Sequence, residues 1–148
     1  MSIRRGYIYL AALDPVVGSE IAKTRPIVVI SNDKNNILAG TVTVLPITSK
    51  NINKRYPFEV FLPKGTANLP KNSKAKADQI RTLDKSRIIK LIGELTPGDV
   101  TRVETAVRIH LDLYLTPHQP SIAETLAEWN SPASKTSRIS QALTDIVA

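Results

Sequence analysis

Hydrophobic periodicity changes once along the chain. Up to about residue 95, apolar positions come in short runs or alternate with polar ones, and beyond it they recur at helical spacing. Residues 7–13 (YIYLAAL) are β-prone and largely apolar and predict a strand. Residues 14–25 (DPVVGSEIAKTR) predict a loop longer than the usual connection, a length that favours a functional over a passive segment. A buried strand follows at 26–31 (PIVVIS), then a turn-rich stretch at 32–40 (NDKNNILAG). Residues 41–47 (TVTVLPI) alternate with period two and predict a third strand, whose end Pro46 places near a sheet edge or bulge. FEVFL at 58–62 predicts a fourth strand and 63–74 a loop. AKADQIRTL at 75–83 predicts a strand on either side of a bend at Asp78, and IIKLIG at 88–93 is a short apolar segment. Short strands at these spacings imply a small antiparallel barrel.

The helical part begins at Thr96, an N-cap residue, with Pro97 at N1 and Asp99 at the positive end of the helix dipole. Val100, Val103, Val107 and Leu111 line one face, and the helix is expected to run to about Leu115 and stop before Pro117. Residues 1–116 therefore form a barrel with a C-terminal helix, and 117–148 a helical extension of two short amphipathic helices. In the first, Ser121 and Glu124 make a capping box ahead of Leu126 and Trp129, and Ser131-Pro132 breaks it. The second carries Ile139, Ala142, Leu143, Ile146 and Val147 as a stripe. The expected class is mainly β with C-terminal helices (α+β).

Composition narrows the function. The 148 residues hold no cysteine, which removes a disulfide scaffold, a thiol nucleophile and a Cys-based zinc site. No apolar run is long enough to span a bilayer, and no apolar h-region follows Arg4 and Arg5, so a cytoplasmic protein without a membrane partner is expected. Lys plus Arg is 20 against 13 Asp plus Glu, a net +7. The excess is concentrated: residues 1–116 hold 18 basic and 10 acidic residues (+8), and 117–148 hold 2 and 3 (−1). A basic body suits a polyanion through counterion release and steering, although solubility alone also accounts for it.

The common catalytic signatures are missing: there is no G-x-S-x-G, P-loop or G-x-G-x-x-G. His110 falls on the C-terminal helix and His118 in a proline-flanked linker, so nothing gathers both for acid–base work. Carboxylates are scattered without a metal-like pair, and neither metal nor cofactor is expected. What remains is a chemistry of Arg, Thr, Asn and Gln.

Six blocks carry a specific resemblance: RRG near the start, LDPVVGSE, TRPIVVISN, VTVLPIT, YPFEVFLP and KADQIRTLDKSRI. In this collinear order, from residue 4 to about 115, the chain resembles the MazF/PemK toxins of type II toxin–antitoxin systems. The resemblance implies a small SH3-like, CcdB-like barrel ending in a helix, and a metal-independent endoribonuclease acting on single-stranded RNA. It implies a homodimer with RNA in a groove across it, and an antitoxin whose disordered acidic segment fills that groove. The arginine before the strand-opening proline, here Arg25, and the threonine closing the P-I-T block, here Thr48, are the implied catalytic pair. By position alone Arg25 is a surface arginine at a loop end and Thr48 a strand residue satisfying a turn. Lys23, Asn32, Asn36, Ser49 and Gln79 are candidate RNA contacts. The asparagines are equally ordinary turn formers, and Gln79 suits a cross-strand hydrogen bond.

The chain also departs from the family pattern. Gly6-Tyr7 stands where Gly-Asp is usual, and Ile21-Ala22 where Gln-Gly is common, which puts an apolar residue in a loop expected to be exposed and removes a flexible position. Two rival functions remain: the same barrel in CcdB binds gyrase without being an enzyme, and a decayed toxin would bind only its antitoxin.

Overall fold

In a computed structural model that describes residues 1–113, the strands form one seven-stranded antiparallel sheet. They are β1 (Tyr7–Ala12), β2 (Thr24–Val29), β3 (Thr41–Thr48), β4 (Glu59–Leu62), β5 (Ser73–Lys76), β6 (Arg81–Asp84) and β7 (Ile88–Glu94). Two α-helices accompany them among the described residues, α1 (Asp33–Leu38) and α2 (Pro97–Leu111). The strand order is β4-β5-β3-β2-β1-β7, and β6 also pairs with β3. The expected helices of the 117–148 extension lie outside the described residues.

The long strand β3 serves two partners along one edge. Its first half, Thr41–Val44, pairs with Asp84–Arg81 of β6, and its end, Ile47–Thr48, with Ala75–Lys74 of β5. The bend expected at Asp78 is the 3-10 turn Ala77–Gln79 that joins β5 to β6. Pro46 lies opposite Ile27 of β2. Ile30 donates to the Thr43 carbonyl at 2.9 Å, so the ladder bonds to β2 fall on alternate pairs that exclude Pro46. The Pro46 nitrogen therefore points into the gap between β6 and β5, where no ladder bond is lost. The expectation of a strand end near a sheet edge is corrected: β3 is central, and the proline is tolerated at its change of partner.

Period-two alternation sorts the strands onto two cores. Ile8, Val28, Leu45, Ile47, Val60, Leu62 and Ala75 face α2 and bury Val103 and Ala106 of that helix. Tyr9, Ala11, Ile27, Val29, Val42, Val44 and Leu83 fill the opposite face, the interior of the small barrel. The 3-10 turn at Thr66–Asn68, between β4 and β5, lies against β7: the Asn68 side-chain amide donates to the Ile92 carbonyl at 3.0 Å. The approach is so close that a Cβ on Gly93 would meet the Ala67 carbonyl oxygen at 2.2 Å. Gly93→Ala is therefore expected to push backbone against backbone and cost about 1–3 kcal/mol, read as a lower urea midpoint at unchanged m. An unchanged midpoint would show that the contact yields freely.

Three other elements differ from expectation. Residues 32–40 contain helix α1, capped by Asn32, whose side chain accepts from Asn35 N–H at 2.8 Å. Its asparagine-rich sequence disguises it, because asparagine competes for backbone hydrogen bonds and lowers helix propensity. The loop expected at 63–74 already contains the Thr66–Asn68 turn and the start of β5. Helix α2 begins as expected, with the Thr96 side chain accepting from Asp99 N–H at 3.2 Å. It ends at Leu111, short of Leu115, because Asp112 adopts a left-handed cap conformation (φ 59°).

Candidate active site

Arg25 and Thr48 lie on neighbouring strands, Arg25 near the start of β2 and Thr48 at the end of β3. Ile27↔Pro46 is the last recorded pair between β2 and β3, and two further steps in the same register bring Arg25 opposite Thr48. Arg25 has the parity of Ile27, and Thr48 that of Val44, so both lie on the barrel-interior face of the sheet, where that face runs out to solvent. Both are half-buried. The Arg25 Nε donates to the Ala22 carbonyl at 3.2 Å, and neither Nη has a protein acceptor among the described residues. The Thr48 Oγ1 accepts from Lys50 N–H at 3.1 Å, and its own proton has no acceptor among the described residues. A guanidinium with its forked donors unused and a hydroxyl free to donate thus lie on the same face of neighbouring strands, groups of a kind suited to a phosphate.

Two loops frame this pair. The β1–β2 loop is fastened along its length. Leu13 donates to the Lys23 carbonyl at 2.8 Å and Lys23 N–H to Asp14 Oδ1 at 3.0 Å, with Lys23 in the left-handed region (φ 70°). Arg81 Nη1 donates to the Leu13 carbonyl at 3.2 Å, and Arg87 Nη1 to the carbonyls of Ala12 and Asp14. Gln79 completes the fastening: its Oε1 accepts from Ile21 N–H at 3.1 Å and its Nε2 donates to the Ser19 carbonyl at 3.4 Å. Ile21 is not the exposed apolar residue expected, because it packs half-buried against the barrel core, as does Tyr7. Ile21 thus adds apolar packing under the loop that supplies the carbonyl acceptor for Arg25, whereas Tyr7 packs at the opposite end of β1.

The β3–β4 loop, residues 49–58, crosses the same face and is held by a buried charge. Lys74, opposite Thr48 in β5, is 4 % exposed. Its Nζ donates to the carbonyls of Asn51 at 3.0 Å and Lys54 at 2.7 Å, and to Glu59 Oε1 at 3.1 Å. Glu59 is likewise buried; it also accepts from Tyr56 N–H at 2.9 Å and lies 3.5 Å from Lys76 Nζ. Burial alone would raise the Glu59 carboxyl. The hydrogen bonds from Tyr56 and Lys74 and the charges of Lys74 and Lys76 outweigh it and hold the group below its ordinary value. A depressed folded-state value means that this contribution is full above the unfolded-state pKa, about 4.3, and is lost as pH falls through the folded value. Glu59→Gln should remove the corresponding part of the acid limb of a stability-versus-pH curve; an unaltered limb would contradict the assignment.

The remaining candidates divide. Lys23 and Ser49 are exposed neighbours of Arg25 and Thr48. Gln79 reaches the site through the loop it fastens. Asn32 and Asn36 do not belong to it. They follow the far end of β2, seven residues and more beyond Arg25, or roughly 20 Å at strand rise. Asn36 is 3 % exposed and its amide is fully used. It accepts from Ser31 Oγ at 2.6 Å and donates to the Ser31 carbonyl at 2.9 Å and Asp33 Oδ1 at 3.2 Å. Asn36 serves the internal structure of α1, and its expected base contact is corrected accordingly; Asn32 caps the same helix through Oδ1 and is otherwise exposed. His110 is exposed on the last turn of α2, as expected. Sequence reasoning missed Lys74 and Glu59, whose one signal is a lysine between Ser73 and Ala75 in β5 and a glutamate in FEVFL that meet across β4 and β5.

This fold belongs to a known class. Residues 4–111 match the family described as PemK-like, MazF-like toxin of type II toxin–antitoxin system, and the chain belongs to that family. Among individual relatives it is 42% identical over 117 residues to Endoribonuclease MazF9 of Mycobacterium tuberculosis, covering 76% of this chain and 98% of the relative. MazF of Deinococcus radiodurans superposes with a TM-score of 0.66 at 27% identity, over 76% of this chain and 98% of that one. A MazE–MazF structure from the same organism gives a TM-score of 0.62 at 28% identity, over 77% and 100%.

Proposed function

We propose that this endoribonuclease toxin of a type II toxin–antitoxin system cuts single-stranded RNA by a 2′-OH route at the Arg25–Thr48 pair. The observation that supports the proposal is that unused Arg25 Nη donors and the Thr48 hydroxyl lie on the same face of neighbouring strands. The 2′-oxygen attacks the adjacent phosphorus, the P–O5′ bond breaks, and the products are a 2′,3′-cyclic phosphate and a free 5′-hydroxyl. One proton leaves the 2′-OH and one is gained by the 5′-oxygen. Arg25 neutralises charge growing on the non-bridging oxygens, and Thr48 donates a further hydrogen bond to them. Arg25 does not act as the base, because a guanidinium offers donors and no acceptor. The protein's own cation supplies the charge stabilisation, so divalent metal is dispensable. Lys23 and Ser49 contact the flanking phosphates.

The chain works as a homodimer in the cytoplasm and is silenced by an antitoxin whose acidic segment competes with RNA for the basic surface. Type II membership supports the antitoxin, and the Deinococcus relative is solved together with MazE. The test is incubation of the purified protein with a long transcript in excess EDTA, with cuts mapped by primer extension. Discrete cuts are expected; an intact transcript would remove the proposal.

A further inference from the structure

The arm that leaves Thr48 carries an aromatic surface that the cleavage chemistry does not use. Between Ser49 and Phe58 the sequence SKNINKRYPF has three basic residues and no acidic one. Tyr56 is 45% exposed and stacks on Phe58, ring centroids 5.2 Å apart and planes 8° from parallel. Phe58 is packed against the helix-side core and tilted against His110 at 5.8 Å. Tyr56 is thus the outer leaf of a stack rooted in the protein interior. Its backbone is fixed as well: its N–H goes to Glu59 Oε1, and its carbonyl accepts from Glu59 N–H at 2.9 Å. Glu59 is in turn set by Lys74, so the buried ion pair determines where the Tyr56 ring stands. Lys54 Nζ lies over the Tyr56 ring, 5.4 Å from its centroid, and the next residue, Arg55, sits with its guanidinium over Phe61 at 3.8 Å, so one cation meets the ring and a second follows along the arm.

We infer that Tyr56 is a stacking platform for one unpaired RNA base flanking the cut, with Lys54 and Arg55 holding the phosphates on either side. The inference rests on the RNA-cleaving reading above. Flat aromatic faces bind splayed-out bases irrespective of sequence, and a ring already immobilised loses little freedom on binding. Lys74 acts through Glu59 as a positioning residue and does not touch RNA.

The test is direct binding of a short RNA spanning a mapped cut site, made uncleavable by a 2′-deoxy substitution at the cut nucleotide. Tyr56→Phe keeps the ring and should bind as the parent does. Tyr56→Leu keeps apolar bulk without the aromatic face and should weaken binding roughly 5- to 150-fold, the equivalent of about 1–3 kcal/mol of base–aromatic stacking. Its slope of log affinity against log salt should stay unchanged, whereas Lys54→Ala should lower the slope by about 0.7. A 2-aminopurine placed next to the cut should lose fluorescence on binding to the parent and to Tyr56→Phe, and not on binding to Tyr56→Leu. A Tyr56→Leu protein that is folded by thermal melt and binds the RNA as the parent does would overturn the platform while leaving cleavage at Arg25 intact. A parent that binds no RNA would overturn both.

Discussion

Arg25→Ala is expected to lower the rate of RNA cleavage by about 10²–10³ while leaving the fold in place. Of all the site residues, Arg25 combines full charge with donors that no protein acceptor occupies among the described residues. Its single hydrogen bond, to the Ala22 carbonyl, ties it to a loop that Gln79, Arg81 and Arg87 fasten independently, so removing the side chain leaves the scaffold supported. Arg25→Lys should recover only a small part, because an ammonium cannot span two phosphate oxygens with a planar fork. Thr48→Ala should cost less, since a neutral donor is weaker than a charged one. Single-turnover cleavage of one mapped site, alongside circular dichroism, measures all three. Arg25→Ala cutting at the parent's rate would remove the residue from the mechanism.

The second large effect is on stability. Lys74→Ala should destabilise the protein by about 3–5 kcal/mol, because it strands Glu59 as a buried charge and leaves the Asn51 and Lys54 carbonyls without their shared donor. Against a typical total of about 5–15 kcal/mol that is a large fraction. The loss should come mainly from the broken pair and less from lost packing. Lys74→Met with Glu59→Leu, which removes both charges, should therefore recover much of it. Urea unfolding of the parent and the two variants decides the matter. A single variant within about 1 kcal/mol of the parent would mean that Lys76 alone satisfies Glu59.

Both results bear on what could be read from sequence. Strands β1 and β3 were legible because TVTVLPI and YIYLAAL show their period directly, and the Asp78 bend because polar residues interrupt an otherwise β-prone run. Arg25 and Thr48 were identifiable through the block resemblance alone. Their juxtaposition needs the β2–β3 register, which sequence does not reveal. Lys74 was invisible for a different reason: a lysine in a strand normally signals solvent, and only the crossing of the 49–58 loop over β5 encloses it. Helix α1 was hidden by its own asparagines, one of which is its cap and another its buried hydrogen-bond centre. Asn36 shows how a residue type suited to reading bases can be fully employed within its own chain.

The central claim is that RNA itself supplies the nucleophile to a site whose positive charge comes from Arg25. The most direct measurement uses two copies of one mapped substrate in excess EDTA, all-ribose and 2′-deoxy at the cut nucleotide alone. The account predicts cleavage of the first, with 2′,3′-cyclic phosphate and 5′-hydroxyl ends, and an intact second. Cutting of the deoxy-substituted copy at the same site, or cleavage of the first only on addition of a divalent metal, would contradict it.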